Sequence, residues 1–358
     1  MVSICIPVYN GASLIHRALG SATRQTYKNI EIVVVDTAST DNTKKAVEDY
    51  SLKDKRIKYF RNKSNIGFTR NLLKSYSLAS GEYVQLLCHD DWLSRNHIQE
   101  GVEQFRRNPQ TAGVFTASIS VRMENEKCVL IDRVAFAPAL YSREYFVGHM
   151  YKTQWASTCI LSLLRRKDIL EASQLIDRFL ESAEEDFKKF YAVGVAIDWL
   201  LFLKIIANYA HLTFTDASTY IKLDHAHNVG KQHGWDLKDA KGVFEYYSVI
   251  RYGLETLYAQ YFPQCLLGMR VFMGAEAMDT ALINFIRDRF NSERLRGFGH
   301  LGIFLKKYPL THKAATIFYA IPLFFWRLAR FMVRRKKVEI KITDNANFFI
   351  DKDGAFRA

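Results

Sequence analysis

Short apolar runs alternate with stretches of helical spacing along the first part of the chain. Val2–Val8 and Ile30–Val35 are apolar runs with one polar residue each, Tyr83–Cys88 is a third, and Ile57–Phe60 is a shorter one. Between them, Ala12–Thr23 sets Leu14, Ile15, Ala18, Leu19 and Ala22 on one side of a helix, and Thr43–Leu52 and Thr69–Ala79 repeat that spacing. Runs with no polar face predict strands covered on both sides. Their alternation with helical patterns predicts βαβ units and a mainly parallel sheet flanked by helices, an α/β fold. Asn96–Arg107 then reads as an amphipathic helix and Gly113–Val121 as a strand, while Ala135–Met150 and Gln154–Leu164 are less regular. Asp198–Tyr209 is a strongly apolar helix with an acid in its first turn, and Leu212–Leu223 alternates as a strand does. After about Gly234 the pattern is helical to about Lys337, and the end of the chain is polar. No repeat of 20–50 residues is evident.

Length adds a division. A chain of 358 residues suggests about two domains. We place an α/β domain at 1–230, a mostly helical region at 231–340 and a polar tail at 341–358. With 49% apolar residues, 25 Phe and 19 Tyr, the chain can build a core, which excludes global disorder. The five cysteines, Cys5, Cys88, Cys128, Cys159 and Cys265, are odd in number and widely spaced, which argues against a disulfide framework or a zinc site. The chain begins on a strand pattern with no signal-peptide pattern, so a reducing, cytoplasmic setting is expected. No run reaches the roughly 20 apolar residues of a spanning helix. Ala314–Trp326 comes nearest and is interrupted by Pro322.

The formal net charge of +13 invites a polyanionic partner, and its position decides which kind. Lys306, Lys307, Lys313, Arg327, Arg330, Arg334, Arg335, Lys336, Lys337 and Lys341 fall in one stretch whose only acid is Glu339. Phe318, Tyr319, Phe324, Phe325, Trp326 and Phe331 are interleaved with them. Basic and aromatic residues on one helical stretch predict a segment lying in an anionic membrane interface, which would hold the protein peripherally on the cytoplasmic face. A core helix with a solvated basic end is the plainer alternative. Ala314–Phe325 is too apolar for a solvated nucleic-acid groove, so no nucleic-acid partner is expected.

Ligands of open α/β sheets bind beyond the carboxyl ends of the strands. The polar residues there are Tyr9-Asn10, Asp36 and His89-Asp90-Asp91. Two adjacent carboxylates repel and resist burial unless a cation compensates. Oxygen ligands in such a pair suit Mg²⁺ or Mn²⁺ bridging to substrate phosphates. The structural alternative is the N-terminus of a helix over Leu93–Phe105, and the strand-end position favours the metal. Asp36 ends its strand where a ligand group would be read, and Asp41 or Ser39 caps the following helix. Arg70-Asn71 opens the helix after Asn65-Ile66-Gly67, offering a charged fork near a phosphate site or a surface ion pair.

Taken together, VSICIPVYN at Val2–Asn10, EIVVVDTASTDNT at Glu31–Thr43, NIGFTRN at Asn65–Asn71, GEYVQLLCHDDW at Gly81–Trp92 and the Asp198-Trp199 helix start resemble the family 2 nucleotide-sugar glycosyltransferases of GT-A fold. The resemblance covers residues 1 to about 230. It implies that Tyr9 packs on the nucleobase with Pro7 beside it, that Asp36 lies at the base end, and that Arg70 lies near base and phosphates. Asp90 would face the ribose and metal, and Asp91 would ligate Mn²⁺ or Mg²⁺ on the diphosphate. Asp198 would be the general base, and Trp199 would shape the acceptor pocket or pack. The implied reaction moves a sugar from a nucleoside-diphosphate donor to a hydroxyl of a glycan or lipid-linked acceptor, with inversion, in assembly of a surface polysaccharide such as lipopolysaccharide.

Two departures matter. Thr37 stands where many members carry a second acid, which leaves the nucleotide open. The metal motif reads His89-Asp90-Asp91 rather than Asp-x-Asp, with His89 a further ligand or a neutral hydrogen-bonding group. The segment Lys222–Asn228 resembles one in related enzymes in which His225 or His227 could reach the diphosphate or metal; a loop without catalytic role is the other reading. A nucleotidyltransferase would need a glycine-rich, basic first loop, whereas Tyr9–Ser13 has one glycine. A non-enzymatic nucleic-acid-binding protein would rest on net charge alone.

Overall fold

The computed structural model describes residues 1–124, 127–134, 138–143, 145–146, 161–194 and 197–225, together with residue 253 and the pairs 256–257, 339–340, 349–350 and 356–357. Nearly all of the helical region expected at 231–340, most of its basic segment, His227 and most of the polar tail lie outside these residues. The chain forms two units. One is Met1–Phe146, Thr153–His225 and Lys337–Ala358, and the other is Val147–Lys152 with Ala226–Lys336. Nearly all described residues belong to the first unit, which carries the main sheet.

Its first part follows the apolar runs closely. Strands β1 (Val2–Val8), β2 (Ile30–Asp36), β3 (Ile57–Arg61) and β4 (Tyr83–Leu86) alternate with helices α1 (Ile15–Thr23), α2 (Thr43–Ser51) and α3 (Phe68–Leu78). The strands pair in parallel in the order β3-β2-β1-β4, with Val8 opposite Asp36 and Asp36 opposite Arg61. Every residue of β1 and β2 is buried, because helices cover both faces. α1 turns Ile15, Ala18 and Leu19 to this sheet, and α3 turns Leu72 and Tyr76. One acid sits inside it. Burial would raise the Glu31 carboxyl, but hydrogen bonds from Lys58, Ser3 and Ser80 outweigh that and hold it at about 2. A buried carboxylate with this many donors ties β2 to β1 and β3.

The second part adds mixed strands to this parallel core. Strands β5 (Trp92–Leu93), β6 (Thr111–Glu124), β7 (Lys127–Val134), β8 (Ala139–Ser142), β9 (Leu163–Arg165) and β10 (His211–Leu223) extend the sheet. β9 lies antiparallel between β4 and β6, and β7 is antiparallel to β6. β10 runs parallel to β6 and antiparallel to β5 and β8. The helices are α4 (His97–Arg107), α5 (Arg166–Ser182), α6 (Glu185–Ala192) and α7 (Ile197–Ile206). Among the described residues no helix is long and apolar enough to cross a membrane.

The strand order positions the site. From β1 the chain steps to β2 and β3 on one side, and β4 returns on the other, so the direction of winding reverses between β1 and β4. Crevices at such a reversal, beyond the carboxyl ends of the strands, bind ligands. The residues after Val8, Asp36 and Leu86 meet there.

Candidate active site

The turn after β1 is laced to the turn after β2. Thr37 N–H donates to Val8 O at 3.0 Å, Asn10 N–H to Ser39 Oγ at 2.9 Å, Gly11 N–H to Thr43 Oγ1 at 2.9 Å and Ala12 N–H to Asp41 Oδ2 at 3.0 Å. In return Thr40 N–H donates to Asn10 Oδ1 at 2.8 Å. Asn10 holds φ at 48°, a left-handed conformation that Asn tolerates better than most residues. The turn leaves Tyr9 43% exposed, which leaves its ring open to a ligand. Pro7, by contrast, is buried within β1 opposite Val35.

Asp36 is fully buried and its oxygens are engaged. Oδ1 accepts from Ser39 N–H at 2.8 Å and Ser39 O–H at 2.6 Å, and Oδ2 accepts from Tyr59 O–H at 2.6 Å with the Arg61 guanidinium at 3.5 Å. The side chain thus fixes the loop beneath the crevice, and the contact with a nucleobase implied by the resemblance is not presented by it directly. Ser39 is part of this knot rather than a helix cap. Asp41 does serve the start of α2, accepting from Thr43 N–H at 3.0 Å. Thr37, in place of a second acid, accepts from Ile66 N–H at 2.9 Å and so draws in the segment before α3. Asn71 anchors α3 itself, donating to Val35 O at 2.8 Å and accepting from Asn62 at 2.9 Å. Arg70 is exposed on the first turn of α3.

After β4, the turn Cys88–Asp91 carries the acid pair. Trp92–Leu93 forms β5 on β10 and the next helix starts only at His97, so the carboxylates cap no helix. Asp91 Oδ1 accepts from Leu223 N–H at 2.9 Å and Oδ2 from Tyr220 O–H at 3.1 Å. His225 Nε2 lies 2.8 Å from Asp90 Oδ2. Beneath the turn Trp92, Ile119, Val121, Ile221 and Leu223 form an apolar cluster. His89 packs on the β1 turn: a Cβ at Gly11 would come within 2.6 Å of its Cδ2, so only glycine fits there. Burial lowers the His89 pKa and keeps its ring neutral.

The electrostatics of this turn are unbalanced. Burial, followed by the charge of Asp90, pushes the Asp91 carboxyl well above the usual carboxylate range. Burial would do the same to Asp90, but the His225 hydrogen bond and His89 hold it low. Among the described residues, Cys88, Asp90 and Asp91 bring one ligand atom each within 4.8 Å of one another. His89 is not in that cluster, which argues for the neutral packing role over the ligand role. Two carboxylates offer the hard oxygen donors that Mg²⁺ and Mn²⁺ take, and a divalent cation would offset their repulsion. Burial holds the Cys88 thiol protonated, which makes it a poor ligand, so the pair of aspartates is the fitting donor set.

Asp198 lies in the first turn of α7, and Oδ1 accepts from Trp199 N–H at 2.9 Å. Burial raises its carboxyl to about 7, and the Trp199 N–H opposes that rise only in part. The positive charge of Lys222 opposes the rise at both Asp198 and Asp91. Trp199 is 8% exposed and packs in the core. Sequence reasoning did not single out Tyr220 or Asn62. Tyr220 sits inside an alternating strand pattern, and no local signal separates it from a core tyrosine.

Comparison with known proteins finds a family model and relatives for this part of the chain. The family described as Glycosyl transferase family 2 matches residues 3–167. A Haemophilus influenzae protein named as an uncharacterized glycosyltransferase is 35% identical over 108 residues, 30% of this chain and 33% of its own length. A Rickettsia conorii protein of the same description is 45% identical over 103 residues, 29% of this chain and 17% of its own length. The chain therefore spans a third or less of these curated relatives. Among solved structures, Staphylococcus aureus TarS 1–349 in complex with UDP superposes with a TM-score of 0.59 at 17% identity, over 92% of this chain and 87% of that one, a likeness of fold. The match to the glycosyl transferase family 2 model runs from β1 through the acid pair to the start of α5.

Proposed function

We propose that the protein is an inverting glycosyltransferase that moves a sugar from a nucleoside-diphosphate donor to an acceptor hydroxyl. The observation that carries this reading is the acid pair of half-buried Asp90 and buried Asp91 at the winding reversal of the sheet, in a chain whose residues 3–167 match the family 2 model. Asp90 and Asp91 would hold Mn²⁺ or Mg²⁺. A divalent cation there supplies charge neutralisation for the departing diphosphate. Tyr9 offers a ring face for the base, and Arg70 an exposed guanidinium at the start of α3. The fold neighbour TarS has been solved with UDP and with UDP-GlcNAc, which favours a uridine donor as the first to try.

Asp198 accepts the acceptor hydroxyl's proton as the new bond forms. A carboxyl raised to about 7 suits that task better than an ordinary one, because a base works best with a pKa near the operating pH. His225, bonded to Asp90, holds that carboxylate rather than acting as base. The acceptor we propose is a glycan or lipid-linked glycan met at the anionic membrane surface through the basic stretch after Lys306. In support, an Escherichia coli chondroitin synthase is 30% identical over 151 residues, 42% of this chain and 21% of its own length.

Thermal shift with a panel of nucleotide sugars, with and without Mn²⁺, tests the reading. The cognate donor should raise Tm through mass action, and only with the ion present. Asp91→Ala should abolish the Mn²⁺-dependent part of that shift. A donor that stabilises both proteins equally, with or without Mn²⁺, would remove the acid pair from the site.

A further inference from the structure

The turn that carries the acid pair is short, and three hydrogen bonds define it. Asp91 N–H donates to Cys88 O at 3.1 Å and closes the turn on itself. Cys88 N–H, at its start, donates to the Tyr220 hydroxyl oxygen at 3.0 Å. The same hydroxyl donates to Asp91 Oδ2, at the turn's end, at 3.1 Å. One oxygen from β10 therefore joins both ends of the turn. The amide of Cys88 can only donate, so the hydroxyl receives there, and its own proton goes to Asp91 Oδ2.

The rest of the tyrosine holds its hydroxyl at this place. Its ring is 1% exposed and lies edge-on to His97 with ring centroids 6.4 Å apart. Its backbone neighbours are held by register, Tyr220 opposite Leu93 and Ile221 opposite Trp92. With Leu223 N–H on Oδ1 at 2.9 Å, each oxygen of Asp91 receives one hydrogen bond from β10. A carboxylate held at both oxygens has its plane and its remaining lone pairs fixed.

We propose that Tyr220 is the positioning residue of the acid pair: its hydroxyl spans the Cys88–Asp91 turn and sets the Asp91 carboxylate in the orientation that takes the divalent cation. The inference rests on the reading of Asp90 and Asp91 as cation ligands and extends it to a residue that touches no substrate. Partners that orient a metal ligand commonly change metal affinity by about 10–100-fold when removed.

The experiment is Mn²⁺ binding to the full-length chain, followed by electron paramagnetic resonance of the free ion, for the parent protein and Tyr220→Phe. Phenylalanine keeps the ring and deletes only the hydroxyl. We expect Mn²⁺ affinity to fall by about tenfold, UDP affinity measured in EDTA to stay the same, and turnover to recover when Mn²⁺ is raised to saturation. Folded Tyr220→Phe with parental Mn²⁺ affinity would overturn the proposal and leave the acid-pair reading standing. A parent protein that binds no Mn²⁺ in the presence of UDP would overturn both. If Tyr220→Phe does not fold, 3-fluorotyrosine at position 220 retains the hydroxyl and makes it a stronger donor to Asp91. A shift in Mn²⁺ affinity then supports the role, and an unchanged affinity overturns it.

Discussion

The parallel part of the sheet, β3-β2-β1-β4, and the mixed part built on β6, β9 and β10 make the same crevice by different means. In the parallel part each functional loop follows its own strand, and neighbouring loops knit to one another through contacts such as Asn10 with Ser39 and Gly11 with Thr43. In the mixed part the functional groups arrive from far along the chain. Tyr220, Leu223 and His225 reach back to Cys88, Asp90 and Asp91, more than 120 residues earlier. The first part supplies an open face for a ligand, and the second holds the acids that would carry its charge. The division teaches that the carboxylates are not set by their own strand: β4 delivers them, and β10 orients them.

The two parts also meet at a second seam. Thr69 O–H donates to Tyr191 O, and a Cβ at Gly194 would lie 2.6 Å from Phe68 Cδ1. The start of α3, next to the crevice, thus seats the turn that precedes α7 and Asp198.

Substitutions can break or sharpen this comparison. The largest effect is expected at Asp198, in the mixed part. Asp198→Asn should lower kcat by about 10²–10⁴-fold and leave donor affinity unchanged, measured by single-turnover transfer and donor titration. Unchanged transfer would move the base elsewhere. In the parent, activity should rise with pH along a limb with an apparent pKa of about 7, because the base must be unprotonated. The stability sign is opposite. The folded carboxyl sits above its ordinary value, so the folded state holds the proton more tightly, and stability is lost as pH rises through about 7. Asp198→Asn should therefore raise Tm more at pH 8 than at pH 5.

A smaller effect is expected at the seam. Gly194 has φ at 96°, so Gly194→Ala meets both the backbone penalty and Phe68. We expect a loss of about 1–3 kcal/mol in denaturant unfolding, with kcat reduced more than donor affinity. Equal loss in both would mean that the seam supports the fold as a whole rather than the Asp198 side of the crevice. The smallest effect is expected outside both parts. Arg335→Ala should weaken binding to anionic vesicles by about 1 kcal/mol, roughly fivefold, and leave transfer to a soluble acceptor unchanged. Parental vesicle affinity would put the membrane contact elsewhere.

The legibility of the two parts in the sequence differs for a physical reason. Strands buried on both faces are apolar at nearly every position, so β1 and β2 stand out as runs despite Ser3 and Glu31, and the polar residues that stop them mark the crevice. Tyr9, Asp36, Asp90 and Asp91 were legible for that reason. The mixed part has half-buried or short strands such as β5, β8 and β9, whose partners are distant, and a local pattern cannot show which strand receives them. α5 and α6 likewise left no clear reading between the strand near Leu164 and the acid at 198.

By itself, then, the sequence determined the parallel frame, the acids at its strand ends and the family to which they point, because local burial and turn chemistry are written in consecutive residues. Only the tertiary structure decided what those acids touch. It turned Asp36 inward onto Ser39, Tyr59 and Arg61, packed His89 on the β1 turn and Trp199 in the core, and brought Tyr220, Leu223 and His225 onto the acid pair. Orientation of a carboxylate depends on which donors surround it in space, and those donors come from strands whose pairing the chain order does not specify.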